Sequence, residues 1–526
     1  MEKKSIKDTG LHLLKKGQKG LIHAIFSRFG IIILLFALQL AVLFLTFGWF
    51  HSFMSQLFFG GVIISLCVSF YILNTRIDPT AKLTWIILVM AVPVFGSLLF
   101  FYTEFEVGHR AFRDRIRDIV DSTEDKIPQE KQVLENFIKE DPGAASIAHY
   151  LQRTGCFPVY DKTEVSYLHI GEDMFDEVLN QLKKARHFIF LEYFIIDEGI
   201  MWGKVLEILA EKVKQGVDVR VMYDGTNEFL TLPRDYPERL EKLGIKCKVF
   251  APLTPFISTH YNYRDHRKIM VIDGNIAFTG GINFADRYIN KTAVHGHWKD
   301  TGVMLRGRAV KSFTLLFLQM WNIDEKEPEY DRFIKFPSLA PEDAKGYVIP
   351  YGDNPLDRDK VGEMVYMDIL NRSKRYVHIM TPYLILDGEM ETAIKFAAER
   401  GVEVSIILPG VPDKLAAYAL AKSHYEVLLD AGVNIYEYDP GFIHAKSFVA
   451  DDTEGVVGTI NLDYRSLYHH FECAAYCYKT SGIEDVEKDF QETLKKCRKI
   501  TKETIWKNNP KLKYLSFIIK VFAPLL

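Results

Sequence analysis

The sequence predicts an α/β pseudodimer, two mixed-sheet halves that share one active site, preceded by an N-terminal membrane region. Three observations predict it: a polar motif that occurs twice, an internal repeat, and long apolar runs confined to the first hundred residues. The expected organisation is a membrane region at 1–103 with two or three apolar segments and a charged linker with peripheral helices at 104–155. A first half follows at 156–330, a second at 331–505, and an amphipathic membrane-contacting tail at 506–526.

Ile31 to Phe50 is a 20-residue apolar run, long enough to cross a bilayer core. Leu57 to Leu73 is nearly as long, and Leu83 to Tyr102 is a third, interrupted by Pro93 and Gly96. A cleaved signal peptide is not expected, because the first run is long and the second follows at once. Lys15, Lys16, Lys19 and Arg28 precede the first run, and Arg110, Arg113, Arg115 and Arg117 follow the third. Basic residues mark the cytoplasmic side, so both flanks inside require an even number of crossings. The expectation is two full spans over the first two runs, with the Pro-broken third re-entering or lying in the inner leaflet. Three spans with the N-terminus outside is the alternative.

The stretch "FRDRIRDIVDSTEDKIPQEKQVLENFIKED", from Phe112, alternates charge with periodic Ile, Val, Leu and Phe, and reads as a solvated connecting helix. Beyond it, residues 185–225 line up with residues 374–410. Both segments read as strand, turn, amphipathic helix, glycine, strand, the grammar of a parallel or mixed sheet covered by helices. Val205, Leu206, Ile208 and Leu209 form the apolar stripe of the first helix. Gly216 and Gly401 supply the left-handed stop before the next strand.

Each half then carries His-x-Lys-x4-Asp: His266, Lys268 and Asp273, then His444, Lys446 and Asp451. Each copy is followed after six residues by Gly-x-x-Asn, Gly280 to Asn283 and Gly458 to Asn461. On a strand, residues i and i+2 share a face, so the His and Lys of each copy converge on one site. Two such strands around a pseudo-twofold axis offer two imidazoles to one phosphorus. One attacks while the other protonates the departing alkoxide, and the roles reverse in the second step. Lys268, Lys446, Asn283 and Asn461 would surround the non-bridging oxygens and stabilise the charge of the transition state.

The doubled motif resembles the phospholipase D superfamily, and its surroundings resemble the bacterial cardiolipin synthase branch, from about Ile77 to the C-terminus. The resemblance is carried by "LEYFIIDEG" from Leu191, "GGINFADRYI" from Gly280, "HWKDTGV" from His297, "TPYLILDGE" from Thr381, "GTINLDYRS" from Gly458 and "APLL" from Ala523. It implies a nucleophilic His266 and a general acid/base His444. It further implies transfer of a phosphatidyl group from one phosphatidylglycerol to another, with release of glycerol, through a phosphatidyl-histidine. A phospholipase D-type hydrolase or a transphosphatidylase with another acceptor is the alternative, and a nuclease of the same superfamily ranks below both. Many members of the superfamily carry Ser where Gly281 stands; the second copy has Thr459 there.

Asp273 and Asp451 lie about 23 Å along an extended strand from their histidines, too far to touch the same phosphate. They are expected to tie down the turn after the strand. Asp300 and Glu472 are better placed to accept the second ring N–H of an imidazole and fix its tautomer. The expectation is that Asp300 orients His266 and Glu472 orients His444.

The chain is 48% hydrophobic with a net charge of −3, a balance that gives little support to a nucleic-acid partner. Its six cysteines show no zinc spacing and read as free thiols. His469 and His470 lack partnered ligand spacing and read as structural or surface residues, so no metal and no cofactor are expected. The tail "KLKYLSFIIKVFAPLL", from Lys511, is too short and too charged to span, and is expected to lie on anionic lipid. The implied partners are phosphatidylglycerol, other anionic phospholipids and the membrane. The implied location is the bacterial cell membrane, multi-pass, with the catalytic part cytoplasmic.

Overall fold

The computed structural model of the chain describes residues 54–104, 107–252, 263–357, 359–507 and 510–525. The run Ile31 to Phe50 lies outside them. The described residues form two compact units that divide at residue 107.

The N-terminal unit contains helices Met54–Asn74, Pro79–Ala91 and Pro93–Glu104. Asp78 caps the second, its carboxylate accepting the N–H of Thr80 and Ala81, with proline in the first turn. The apolar run from Leu83 is divided in two because proline lacks an N–H and disfavours a helical residue before it; Val92 accordingly turns to φ −134°. Gly96 permits the two helices to touch, since an added Cβ would lie 2.7 Å from the Leu88 carbonyl oxygen. Val68, Ile72, Val89 and Phe100 form a small core. Large apolar side chains cover the outside instead: Ile63, Phe70, Leu83, Met90 and Leu98 are each exposed. Among the described residues no helix is long and apolar enough to cross a membrane. The side chains of Met54–Asn74 are described from residue 60, and that stretch rises only about 22 Å against a hydrocarbon core of about 30 Å.

The second unit is built twice. Its first half contains β1 (Thr163–Leu168), β2 (Phe188–Tyr193), β3 (Asp218–Asp224), β4 (Lys246–Phe250), β5 (Arg264–Asp265), β6 (Lys268–Ile272), β7 (Ile276–Gly280), β8 (His297–Lys299) and β9 (Gly302–Gly307). The second half contains β10 (Tyr347–Asp353), β11 (Tyr376–Met380), β12 (Glu403–Pro409), β13 (Asn434–Tyr438), β14 (Gly441–Ile443), β15 (Ser447–Ala450), β16 (Glu454–Gly458), β17 (His470–Tyr478) and β18 (Cys497–Lys499). One sheet runs β1-β9-β7-β6-β2-β3-β4, and the other β10-β17-β16-β15-β11-β12-β13-β18. Strand by strand the first seven positions correspond, which is the expected pseudodimer of mixed sheets.

In each half the repeated segment forms a parallel pair, β2 with β3 and β11 with β12, joined by helices Ile200–Lys214 and Gly388–Glu399. Val205, Leu206 and Leu209 are fully buried beneath the first helix, with Ile208 half-buried. Gly216 and Gly401 adopt φ +85° and +93° at the stops, where a side chain would be strained. Strands β7 and β9 pack against β16 and β17, so the halves share a core. It contains Phe190, Ile269, Val271 and Phe317 of one half and Val449, Val457, Phe471 and Ala475 of the other. Each such fully buried side chain contributes about 1.5–3 kcal/mol, which offsets the cost of placing charged groups between the halves.

The linker departs from the expected solvated helix. Ile116 and Ile119 of helix Val107–Ser122 enter the shared core, and Val133 and Phe137 of helix Lys131–Glu140 enter the core of the second half. Their spacing of three and four residues gives each helix one apolar stripe, and that stripe finds the sheet layers rather than water.

Candidate active site

Two short strand pairs join the halves and set the geometry of the site. β5, just before His266, runs parallel to the start of β17, with Arg264 opposite His470 and Asp265 opposite Phe471. β14, just before His444, runs parallel to β8, with Ile443 opposite Lys299. One residue further, the His266 N–H donates to the Phe471 carbonyl at 3.0 Å and the His444 N–H to the Lys299 carbonyl at 2.7 Å. Register therefore brings His266 to Glu472 and His444 to Asp300.

The pairing is crossed relative to the sequence expectation. His266 Nδ1 lies 2.8 and 2.9 Å from the two oxygens of Glu472, and His444 Nδ1 lies 2.6 Å from Asp300 Oδ2. Each imidazole takes its carboxylate from the other half. The expectation placed each pair within one half because strand periodicity carries no information about which half a strand end will meet.

Both carboxylates are fully buried and held differently. Glu472 also accepts hydrogen bonds from Ser466 Oγ, at 2.8 Å, and from Thr459 Oγ1. Asp300 sits against Gly281, where an added Cβ would lie 2.0 Å from Asp300 Oδ1 and 2.8 Å from the His444 carbonyl oxygen. Gly281 and Thr459 thus occupy equivalent positions for opposite reasons: one leaves room for a carboxylate, the other donates to one. A serine at 281 would displace Asp300.

Lys268 Nζ donates to the His266 carbonyl at 2.5 Å. Lys446 Nζ donates to the His444 carbonyl and lies 2.9 Å from His444 Nδ1. Burial pushes both imidazoles well below the ordinary histidine range, and the charges of both lysines push each one further. Burial holds the Lys268 ammonium down to about 8 and the Lys446 ammonium down to about 7. Burial pushes Asp300 up to about 7 against the pull of Lys446 and Lys268. The free site therefore favours neutral imidazoles and lacks a counter-anion. A phosphodiester supplies one negative charge at that place.

Asp273 and Asp451 do not reach the imidazoles. Asp273 accepts the backbone N–H groups of Arg186, His187 and Phe188, and Asp451 those of Lys374, Arg375 and Tyr376. Each ties the end of its motif strand to the start of the neighbouring strand from a left-handed φ of +50° or +54°. Asn283 is also engaged: its Oδ1 accepts the Ile195 N–H at 2.9 Å and its Nδ2 donates to the Tyr288 hydroxyl at 2.7 Å. Asn461 is held more loosely, with Nδ2 3.4 Å from Asp463 Oδ2 and Oδ1 unpartnered among the described residues.

Sequence reasoning missed several neighbours. Trp298 and Tyr288 pack on His444 at ring distances of 5.3 and 5.7 Å, and Phe194 packs on His266 at 4.9 Å. Arg287 and Lys414 add positive charge. His470, read as structural or surface, is buried with its ring 5.2 Å from that of His266. The one signal in the sequence was its i, i+2 spacing from Glu472 on a strand.

Two equivalent mixed-sheet halves that meet at paired His-Lys motifs define a phospholipase D-like protein. A family profile described as "Cardiolipin synthase, PLD-like domain" matches residues 178–321 and 366–494. The chain belongs to this family. A Streptococcus mutans protein described as uncharacterized is 52% identical over 87% of this chain and 99% of its own length. A cardiolipin synthase of Alkalihalophilus pseudofirmus is 33% identical over 90% of this chain and 95% of its own. Among solved structures, phosphatidylserine synthase of Haemophilus influenzae superposes with a TM-score of 0.54 at 14% identity, covering 73% of this chain and all of that one. That likeness speaks to the fold alone.

Proposed function

We propose that the protein is a cardiolipin synthase that condenses two phosphatidylglycerol molecules and releases glycerol. The observation that carries the reading is the pair of crossed His-carboxylate dyads flanked by Lys268 and Lys446. The acceptor is supported by the family and by relatives named for that reaction.

In this scheme Glu472 holds the Nδ1 proton of His266 and leaves the Nε2 lone pair free to attack phosphorus. The negative phosphodiester raises the proton affinity of the imidazoles. That lets His444, steadied by Asp300, carry the proton that it gives to the departing glycerol alkoxide. The P–O bond to glycerol breaks as the P–N bond forms. His444, now neutral, takes the proton of a hydroxyl on the second phosphatidylglycerol, whose oxygen displaces His266. Lys268 and Lys446 stabilise the transferring phosphoryl oxygens. Asn283 contributes through Tyr288, and Asn461 offers its amide directly.

A covalent phosphatidyl intermediate must exchange headgroups. Isotopically labelled glycerol is expected to enter the phosphatidylglycerol pool, read by mass spectrometry of the lipid. Cardiolipin formed without any such exchange counts against the intermediate.

The alkaline side of the pH profile follows from the lysines. As pH rises through about 7 and then about 8, Lys446 and Lys268 lose their protons in the free enzyme and anion binding weakens. The expected kcat/KM falls over that interval, while kcat falls at higher pH because bound phosphodiester stabilises both ammonium groups. Coincident limbs for the two parameters would contradict this assignment.

The same reading places the protein at the bacterial cell membrane, multi-pass, with two crossings over Ile31 to Phe50 and Leu57 to Leu73 and the catalytic unit cytoplasmic. The basic flanks and the apolar exterior of the N-terminal unit support it. Helix Pro510–Lys520 adds an interfacial contact: Tyr514, Phe517 and Ile518 are exposed beside Lys511, Lys513 and Lys520, while Ala523 is buried against the catalytic unit. Changing Tyr514 and Phe517 to glutamate is expected to lower activity on anionic vesicles more than on short-chain substrate in detergent. An equal loss in both would remove the tail from the membrane reading.

A further inference from the structure

His470 has no part in that scheme, yet it is buried beside the attacking imidazole. It stands two positions before Glu472 on β17, so both project from one face of the strand. Only 7% of it is exposed, and neither ring nitrogen has a hydrogen-bond partner among the described residues. The Glu472 Oε1 atom is 3.6 Å from its Nδ1, beyond hydrogen-bonding reach, while the same oxygen is 2.8 Å from His266 Nδ1. One ligating atom from each of His266, His470 and Glu472 falls within 4.8 Å of the others. Buried polar groups are almost always satisfied, so an unpartnered imidazole aimed at a histidine and a carboxylate points to a ligand.

We propose that His266, His470 and Glu472 form an inhibitory site for a late first-row divalent cation, with zinc the best fit. Two imidazoles and one carboxylate are the donor set of borderline metals, whereas magnesium and calcium require oxygen ligands. Ligand atoms about 2.0–2.2 Å from a tetrahedral ion stand about 3.3 Å apart, and the distances of 2.8 and 3.6 Å to Glu472 bracket that spacing. Three protein ligands leave one position for water or a phosphate oxygen. Lys268 and Lys446 oppose a cation here, which makes the site a reversible brake and not the seat of a resident cofactor. Occupancy takes His266 and its carboxylate out of the reaction, with no covalent bond made or broken.

The inhibitory consequence rests on His266 being the attacking group; the binding does not. The test therefore begins without substrate. Cobalt(II) titrated into metal-free, full-length protein is expected to give saturable ligand-field absorption bands that zinc displaces. Zinc should also raise the melting temperature of the wild type. His470→Asn and His470→Gln are each expected to weaken cobalt binding at least about tenfold and to raise by a similar factor the zinc concentration that halves cardiolipin formation. A chelator should restore the wild-type rate. Absence of the bands and of the melting shift would overturn the site, as would equal cobalt affinity in both variants. Tight zinc binding with an undiminished rate would overturn the inhibitory role. A protein that binds cobalt but makes no cardiolipin under any condition would refute the functional reading and leave the metal site standing.

Discussion

Replacing His266 with alanine is expected to lower turnover of phosphatidylglycerol by about 10^4-fold or more, and replacing His444 with alanine by a similar factor. Each removes a group that no neighbour can replace: one forms the bond to phosphorus, the other moves the proton at the opposite oxygen. The two losses should not add. Once either imidazole is gone, removal of the other changes little, because both act in one transition state. Circular dichroism and melting curves of the variants separate this from unfolding. Both side chains lie where truncation leaves a polar partner, Glu472 or Asp300, without its imidazole, so a modest fall in melting temperature accompanies the kinetic loss.

The crossed carboxylates give the second large effect. Asp300→Asn and Glu472→Gln keep shape but replace an acceptor that steadies an imidazolium, and each is expected to cost about 10^2- to 10^4-fold in kcat. The geometry further specifies which histidine feels each change. Nitrogen-15 spectra of the imidazoles should show the His444 resonances altered by Asp300→Asn and those of His266 altered by Glu472→Gln. The reverse pattern would mean that each half orients its own histidine. Near-normal turnover in both variants would remove the carboxylates from the mechanism altogether. Thr459 and Ser466 also hold Glu472, so Glu472→Gln is expected to disturb its surroundings more than Asp300→Asn does.

The pseudodimer is legible in the sequence through the doubled motif and the repeat, because strand periodicity and a fixed His-x-Lys spacing are local properties of the chain. The role of Asp273 and Asp451 is legible for the same reason: a residue seven positions along a strand cannot return to the site. The crossing of the dyads is not. It depends on β5 pairing with β17 and β14 with β8, contacts between segments about 140 to 210 residues apart whose short pairs carry no periodic pattern. His470 gives no sign of its place, because an isolated histidine on a buried strand looks the same whether it faces a core or a reactive imidazole. The linker misleads through composition: its charges describe the faces of helices Val107–Ser122 and Lys131–Glu140 that see water, while Ile116, Ile119, Val133 and Phe137 decide where those helices sit.

Gly281 shows how one position can be read two ways. From sequence it is a missing hydroxyl on a phosphate site; in the fold it is the space that lets Asp300 reach across to His444. The loss of symmetry between Gly281 and Thr459 gives the two dyads different surroundings, as an attacking group and a proton carrier require.

The most direct measurement supplies the reconstituted protein with phosphatidylglycerol alone and follows lipid and headgroup products by mass spectrometry, beside the His266→Ala variant. The account predicts cardiolipin and free glycerol in equal amounts from the wild type, and neither from the variant. Phosphatidic acid in place of cardiolipin, or cardiolipin that persists in the variant, would contradict it.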